Sequence, residues 1–176
     1  MKYFLIKADP IYATAPDIRN WFGVFEKRDV HVERHQKMKD RFVLKIEPGK
    51  NTVFTDLISM PVLMVTEKLR DVIRLYERTT PFKEVVLLDY SRGISKLYYL
   101  PILQEIECLS EKSELMPNCY GIVKAVLDLN KVGEHSIFKI GGVFDDYYVV
   151  RLDVAESFLR RGAVGISLTE VACVEL

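Results

Sequence analysis

Short apolar runs recur along the chain, and their spacing switches between a period of two and a period near 3.6. Tyr3 to Lys7 has the pattern of an opening strand. Asp17 to Phe25, within PDIRNWFGVF, fits a helical turn or a loop, interrupted by Pro16 and Gly23. Arg41 to Ile46 alternates, with Phe42, Leu44 and Ile46 on one face, and EPGKN, Glu47 to Asn51, follows as a turn. Met60 to Val65 is a compact apolar strand whose Pro61 belongs near its start or at a sheet edge.

A helix follows. Thr66 is placed as N-cap and Glu67 in the first turn, where the helix dipole favours negative charge. Leu69, Val72, Ile73 and Tyr76 form one apolar stripe, with Arg70, Asp71, Arg74 and Glu77 on the solvated side. Pro81 lies past its end and Val85 to Leu88 returns as a buried strand, completing a strand–helix–strand unit. The last 30 residues repeat the plan. After the hairpin-turn residues GGVFDD comes a strand, Tyr147 to Val150. Asp153 and Glu156 have capping-box spacing, Val154, Ala155, Phe158 and Leu159 form the buried side, and Gly162 suits the left-handed residue after the helix. Val164 to Leu168 is the returning strand. Matching the two units needs a slip of one residue, too loose to establish an internal repeat.

Between them Leu97 to Leu100, Leu103 to Leu109, Ile122 to Leu129 and Ile137 to Ile140 read as strands. The pattern predicts an α+β fold, a mixed β-sheet with a few amphipathic helices on one face. A chain of 176 residues is expected to form a single domain, 1–176.

Composition narrows the function classes. Lys plus Arg (25) equals Asp plus Glu (25), whereas a dedicated nucleic-acid binder carries a basic excess. MKYFLIKADP holds too short an apolar run for a signal peptide, and no run approaches the roughly 18 residues of a membrane span. Cys108, Cys119 and Cys173 are an odd set without paired spacing, which suits a reducing cytoplasm.

Candidate chemistry is sparse. In a strand, Cys108 shares a face with Ile106 while Glu105 and Glu107 take the other, so it reads as a small buried hydrophobe. A nucleophilic thiolate needs a nearby cation, and Glu105, Glu107 and Glu111 outnumber Lys112. His31 and His35 fall on one face of a helix, and His31, Glu33 and His35 on one face of a strand, so either could share a metal. The polar surroundings, Lys27 to Arg41, favour a solvated face. Gly141-Gly142 lacks the partners of a phosphate loop and suits a hairpin, and no serine stands in a nucleophile elbow.

From Pro61 onward the chain carries VLMVTEKLRDVI (Val62 to Ile73), VVLLD (Val85 to Asp89), YYLPILQEIECLSEKSE (Tyr98 to Glu114), IFKI (Ile137 to Ile140), VVRLDVAESFLRRG (Val149 to Gly162) and VGISL (Val164 to Leu168). In this order they resemble the immunity-protein domain family of bacterial polymorphic toxin systems, first catalogued as a domain of unknown function. Residues 1–60 diverge from it. Arg151-Leu152 stands where the family tends to place a serine cap. The resemblance implies a non-enzymatic cytoplasmic protein that binds and neutralises a cognate toxin protein without a cofactor or metal.

Such a protein needs an exposed patch with anchoring aromatics and charges. Asp145, Asp146, Tyr147 and Tyr148 are one candidate for a basic toxin surface, set against a plain hairpin whose tyrosines pack on the sheet. Glu111 and Glu114 are a second. The alternatives are a hydrolase using Cys108 or the His31/Glu33/His35 group, and a structural or regulatory subunit of a complex.

Overall fold

A computed structural model describes residues 1–12, 15–18, 20–47 and 52–175. Most of the EPGKN turn, 48–51, lies outside the described residues. The fold is α+β with mixed sheets, as the pattern predicts, but the described strands divide between two main sheets and a two-stranded ribbon.

The first sheet begins with Arg41–Lys45 (β2), after an opening strand Tyr3–Ala8 (β1) that belongs to the other sheet. Leu57–Ile58 (β3) and Met64–Val65 (β4) pair antiparallel, so the strand expected over Met60 to Val65 shrinks to its last two residues. Glu67–Tyr76 (α1) leads to Phe82–Asp89 (β5), and a turn through Gly93 returns the chain as Ile94–Pro101 (β6). The order across the sheet is β2-β5-β6-β4-β3, so β6 runs antiparallel between the two strands that α1 connects.

The second half opens with Glu105–Ile106 (β7) and the ribbon Glu114–Leu115 (β8) with Ile122–Lys124 (β9). Then come Val126–Asp128 (β10), a helical turn Leu129–Val132 (α2), Ile137–Ile140 (β11), Tyr148–Arg151 (β12), Leu152–Arg160 (α3) and Ile166–Val174 (β13). The strand expected over Leu103 to Leu109 is thus confined to β7, and that over Ile122 to Leu129 is split in two. The second sheet has the order β10-β13-β1-β12-β11-β7.

The two sheets follow one plan. In each, a helix joins two strands that flank an antiparallel third, β6 in one and β1 in the other. The strand after the helix also carries a parallel neighbour, β2 beside β5 and β10 beside β13. The strand before the helix carries an antiparallel one, β3 beside β4 and β11 beside β12. The kinship of the two strand–helix–strand units is therefore topological. The N-terminal strand fills the place that would follow β13 in sequence, which is why a linear comparison of the halves falls short.

A central core draws on both sheets and both long helices, including Ile6, Val65, Leu69, Ile73, Tyr148, Val154 and Phe158. On its far face the first sheet buries Phe42, Leu44, Met64, Val85 and Tyr98 under Ile18, Phe25 and Met38 of the preceding excursion. The second sheet buries Val149, Phe138 and Val171 under Cys108, Leu127 and Val132. Tyr76 Oη meets Ser157 Oγ at 2.8 Å and donates to the Asp153 carbonyl at 3.1 Å, tying α1 to α3.

Several local expectations change. Thr66 occupies the α1 N-cap but gives its hydroxyl to Asp56 at 2.6 Å. Arg70 folds over the Tyr99 ring, 4.2 Å from its centroid, and the Glu77 carboxylate accepts the Ser136 N–H at 2.7 Å, so neither is simply solvated. The α3 N-cap is Arg151, two residues before the Asp153 cap expected, and Asp153 binds the Arg151 guanidinium at 2.8 and 2.9 Å. Leu159, expected inside, is exposed, while Gly162 takes φ +65° as a helix-terminating glycine should.

Candidate binding surface

The turn Gly141 to Tyr147 and the β8–β9 ribbon meet along their backbones. Phe144 N–H donates to the Cys119 carbonyl and Asp145 N–H to that of Tyr120, each at 3.0 Å. Ile122 N–H donates to Tyr147 Oη at 3.0 Å, and Met116 N–H to the Gly121 carbonyl at 2.9 Å. The first three bonds join two segments about 25 residues apart into one ridge, and the last closes the ribbon on itself.

Its crest is apolar and exposed. Phe144 is 72% and Tyr120 57% accessible, with ring centroids 4.8 Å apart, so each ring shields part of the other and both still face solvent. Val123 and Met116 of the same ribbon are exposed too, at 63% and 46%. Apolar side chains scattered singly over a surface need no explanation, but a paired aromatic cluster held by backbone bonds does. Asn118 and Cys119, at the ribbon tip, both have positive φ (58° and 55°), a conformation that costs non-glycine residues energy and that recurs at functional sites.

The sequence-derived candidates separate. Asp145 is exposed on this ridge, directly after Phe144. Glu114 lies on β8 opposite Lys124 of the ribbon, and Glu111 is exposed in the turn that precedes it. Asp146 turns the other way and bonds Lys27 at 3.1 Å and Lys139 at 2.9 Å, linking the N-terminal excursion to β11. Burial pulls the Lys139 ammonium toward neutrality, but its bonds to Asp146 and Glu105 outweigh that and leave its pKa raised. Tyr147 is half-buried, and Tyr148 is buried in the central core, its oxygen accepting the Leu63 N–H at 3.3 Å. The structure thus keeps Asp145, Glu114 and Glu111 at the surface, commits Asp146 to ion pairs with Lys27 and Lys139, and places Tyr148 in the interior. Alternation along the hairpin accounts for the split: neighbours in an extended chain face opposite ways.

Tyr120 and Phe144 escaped the sequence reading. A signal existed in both cases, since each large aromatic sits among turn residues, PNCY and GGVFDD, where no apolar period explains it.

The catalytic candidates find different surroundings. Cys108 is fully buried, and burial pushes its thiol up to about 11, far from the thiolate a nucleophile needs. His31 lies in a turn where its Nδ1 accepts the Glu33 N–H at 3.3 Å, and His35 begins a short 3-10 turn. Among the described residues no three His, Cys, Asp or Glu side chains converge to hold a metal ion, and no helix is long and apolar enough to cross a membrane.

No protein-family model matches the chain, and a search of curated proteins finds no match.

Proposed function

We propose that this chain is a non-enzymatic binding protein of the immunity type, which acts in the cytoplasm by seating a cognate toxin protein on the Tyr120–Phe144 ridge. The observation that carries this reading is the exposed aromatic pair with the exposed Asp145 carboxylate directly after Phe144. Aromatic side chains supply large, rigid contact area at small cost in conformational entropy, and they dominate the energetics of protein interfaces. Asp145 adds a carboxylate beside the rings that suits a basic toxin surface, and Glu111 and Glu114 lie further back along the ribbon, Glu114 opposite Lys124. The resemblance from Pro61 onward supports the same reading, since the ridge belongs to that part of the chain.

The test is rescue of growth from the toxin encoded beside this gene. Co-expression of the wild-type chain is expected to restore growth and to yield a complex that survives purification. A Tyr120→Ala/Phe144→Ala variant with an unchanged far-ultraviolet CD spectrum and melting temperature is expected to weaken that complex by at least about tenfold, typical for loss of interface anchors. Failure of the wild-type chain to rescue, or rescue indifferent to both substitutions, would overturn the reading.

A further inference from the structure

We propose that the cleft at the open end of the second sheet binds a small aromatic carboxylate, with Lys7 as its counter-ion. The cleft lies apart from the Tyr120–Phe144 crest, and the proposal does not rest on a toxin partner.

Strand pairing creates the cleft. β12 leaves β1 after the Ile6–Tyr148 pair, while β13 follows β1 on to Ala8. A cavity of about 350 Å³ opens where the two strands part, within the range of small-molecule sites. Alternation fixes which side chains reach it. Phe4 and Ile6 pack on the central core and Tyr3 and Leu5 on the core beyond the second sheet, so Lys7 shares the outer face with Leu5. Thr169 stands opposite Leu5 and, two residues from Val171, faces the same way.

Leu5, Lys7 and Thr169 give the cavity its floor, with the half-buried Tyr147 and the exposed Met60 lining it beside them. The turn that carries Met60 is held to the end of β1, since Ala8 N–H donates to Ser59 Oγ at 3.2 Å. Apart from its few polar groups the lining is aliphatic or aromatic. A tyrosine ring and a thioether are surfaces on which a flat aromatic ligand packs favourably.

Charge selects the ligand's polar group. The charged residues of the lining are Lys7 and Asp146. Asp146 is already neutralised, because Oδ2 binds Lys27 Nζ at 3.1 Å and Oδ1 binds Lys139 Nζ at 2.9 Å. Lys7 is exposed, and among the described residues no carboxylate pairs with it. The lining thus carries an uncommitted cation and no uncommitted anion. Its hydroxyls lean the same way. Ser59 Oγ and Tyr147 Oη accept backbone N–H groups, the latter from Ile122 at 3.0 Å, and each keeps its own O–H to donate. A carboxylate answers both the ammonium and such donors, whereas a cationic ligand would face Lys7 with nothing to offset it.

The probe is 2-naphthoate, titrated into the whole chain and followed by amide NMR. Expected are saturable shifts concentrated at Lys7, Tyr147 and Thr169, with a Kd below about 1 mM. The uncharged 2-naphthalenemethanol is expected to bind at least about threefold more weakly, and Lys7→Glu to reverse that order. Thr169→Trp places a ring on the cavity floor at an exposed strand position that accepts aromatics, and is expected to weaken naphthoate at least about tenfold. Should Thr169→Trp fail to fold, Lys7→Glu carries the test. The proposal is overturned if no saturable shifts arise, or if they centre on Tyr120 and Phe144 instead. It is equally overturned if the alcohol binds the wild type as tightly as the carboxylate, if Lys7→Glu keeps the wild-type order, or if the folded Thr169→Trp binds naphthoate as the wild type does.

Discussion

Thr66 Oγ1 donates to Asp56 Oδ1 at 2.6 Å, and that bond fastens the start of α1 to a carboxylate that also holds the other half of the molecule. Asp56 Oδ2 accepts Lys68 Nζ at 2.8 Å and the Val164 N–H at 2.8 Å, just ahead of β13. Ser136 repeats the arrangement from the opposite side. Its carbonyl accepts the N–H of Arg151, the α3 N-cap, at 2.8 Å, as Asp56 accepts that of Thr66 at 3.0 Å, and its own N–H goes to Glu77 beyond α1. Each half thus binds its own helix start and the residues just past the other half's helix.

Replacing Asp56 by alanine leaves the Thr66 hydroxyl and the Val164 N–H without their acceptor and the Lys68 ammonium with the Gly162 carbonyl alone. The expected loss is about 2–4 kcal/mol, read as a lower urea midpoint with unchanged slope. Thr66→Val removes one donor and is expected to cost about 1 kcal/mol. Because the two side chains touch, the double variant should lose less than the sum of the single losses. Strict additivity would show that the bond is not coupled to the rest of the cluster.

Asp89 ends β5 as a fully enclosed acceptor for the Ser91 hydroxyl (2.7 Å), Arg92 Nε (2.6 Å) and the N–H groups of Ser91 and Arg92. The Ser91 and Arg92 side chains, above all, hold its carboxyl down to about 2, from an ordinary value of 3.8, against the opposing effect of burial. A carboxyl depressed on folding adds stability that is complete above its unfolded pKa and fades as pH falls toward its folded one. The wild type should therefore lose urea resistance between about pH 4 and pH 2, and Asp89→Asn should flatten that part of the profile. Identical acid limbs for the two proteins would refute this assignment.

The β4–α1–β5 and β12–α3–β13 units were legible because burial on one side imposes a period, and Leu69, Ile73, Val154 and Phe158 do face the core. Cys108 was legible for the same reason. Where the chain makes short, irregular strands the pattern misleads: Leu103 to Leu109 is apolar because its side chains enter two cores, whereas only Glu105 and Ile106 form a strand and Leu109 a single bridge to Leu127. The α1 cap was legible in position but not in bonding, since Thr66 stands at the N-cap yet gives its hydroxyl to Asp56, ten residues away, while the α3 cap expected at Asp153 falls at Arg151. The division into two sheets, with β1 crossing to the second, depends on pairings such as Tyr3 with Val171 that no local window contains. The aromatic ridge likewise exists only once Phe144 reaches Cys119.

The three thiols should separate by burial. Cys119 is exposed, Cys173 half-buried and Cys108 enclosed. Burial raises the pKa of both Cys108 and Cys173, so both are poor nucleophiles at neutral pH as well as less accessible. Iodoacetamide at pH 7.5 is expected to alkylate Cys119 first and Cys108 only in denaturant, read site by site by peptide mass spectrometry. Rapid labelling of Cys108 in the native protein would contradict its place in the core.

The position of β1 makes a final prediction about connectivity. β1 runs antiparallel to β13 from Tyr3 beside Val171 to Ala8 beside Ile166, the relation that β6 bears to β5 across a short turn. The start of β1 and the end of β13 therefore lie side by side. A flexible linker of roughly five residues reaches about 12 Å, enough to turn the chain between them. Joining the termini this way and opening the chain between Pro10 and the exposed Ile11 places β1 after β13, giving both halves the same strand order. The permutant is expected to fold, with the wild-type CD spectrum and a cooperative melt within about 10 °C of the wild type, since it loses no strand pairing. Deleting residues 1–8 instead strips β12 and β13 of their common partner, and that chain is expected to aggregate. A permutant that behaves like the deletion would mean that β1 needs its own N-terminal connection, and the kinship of the two halves would then be one of shape alone.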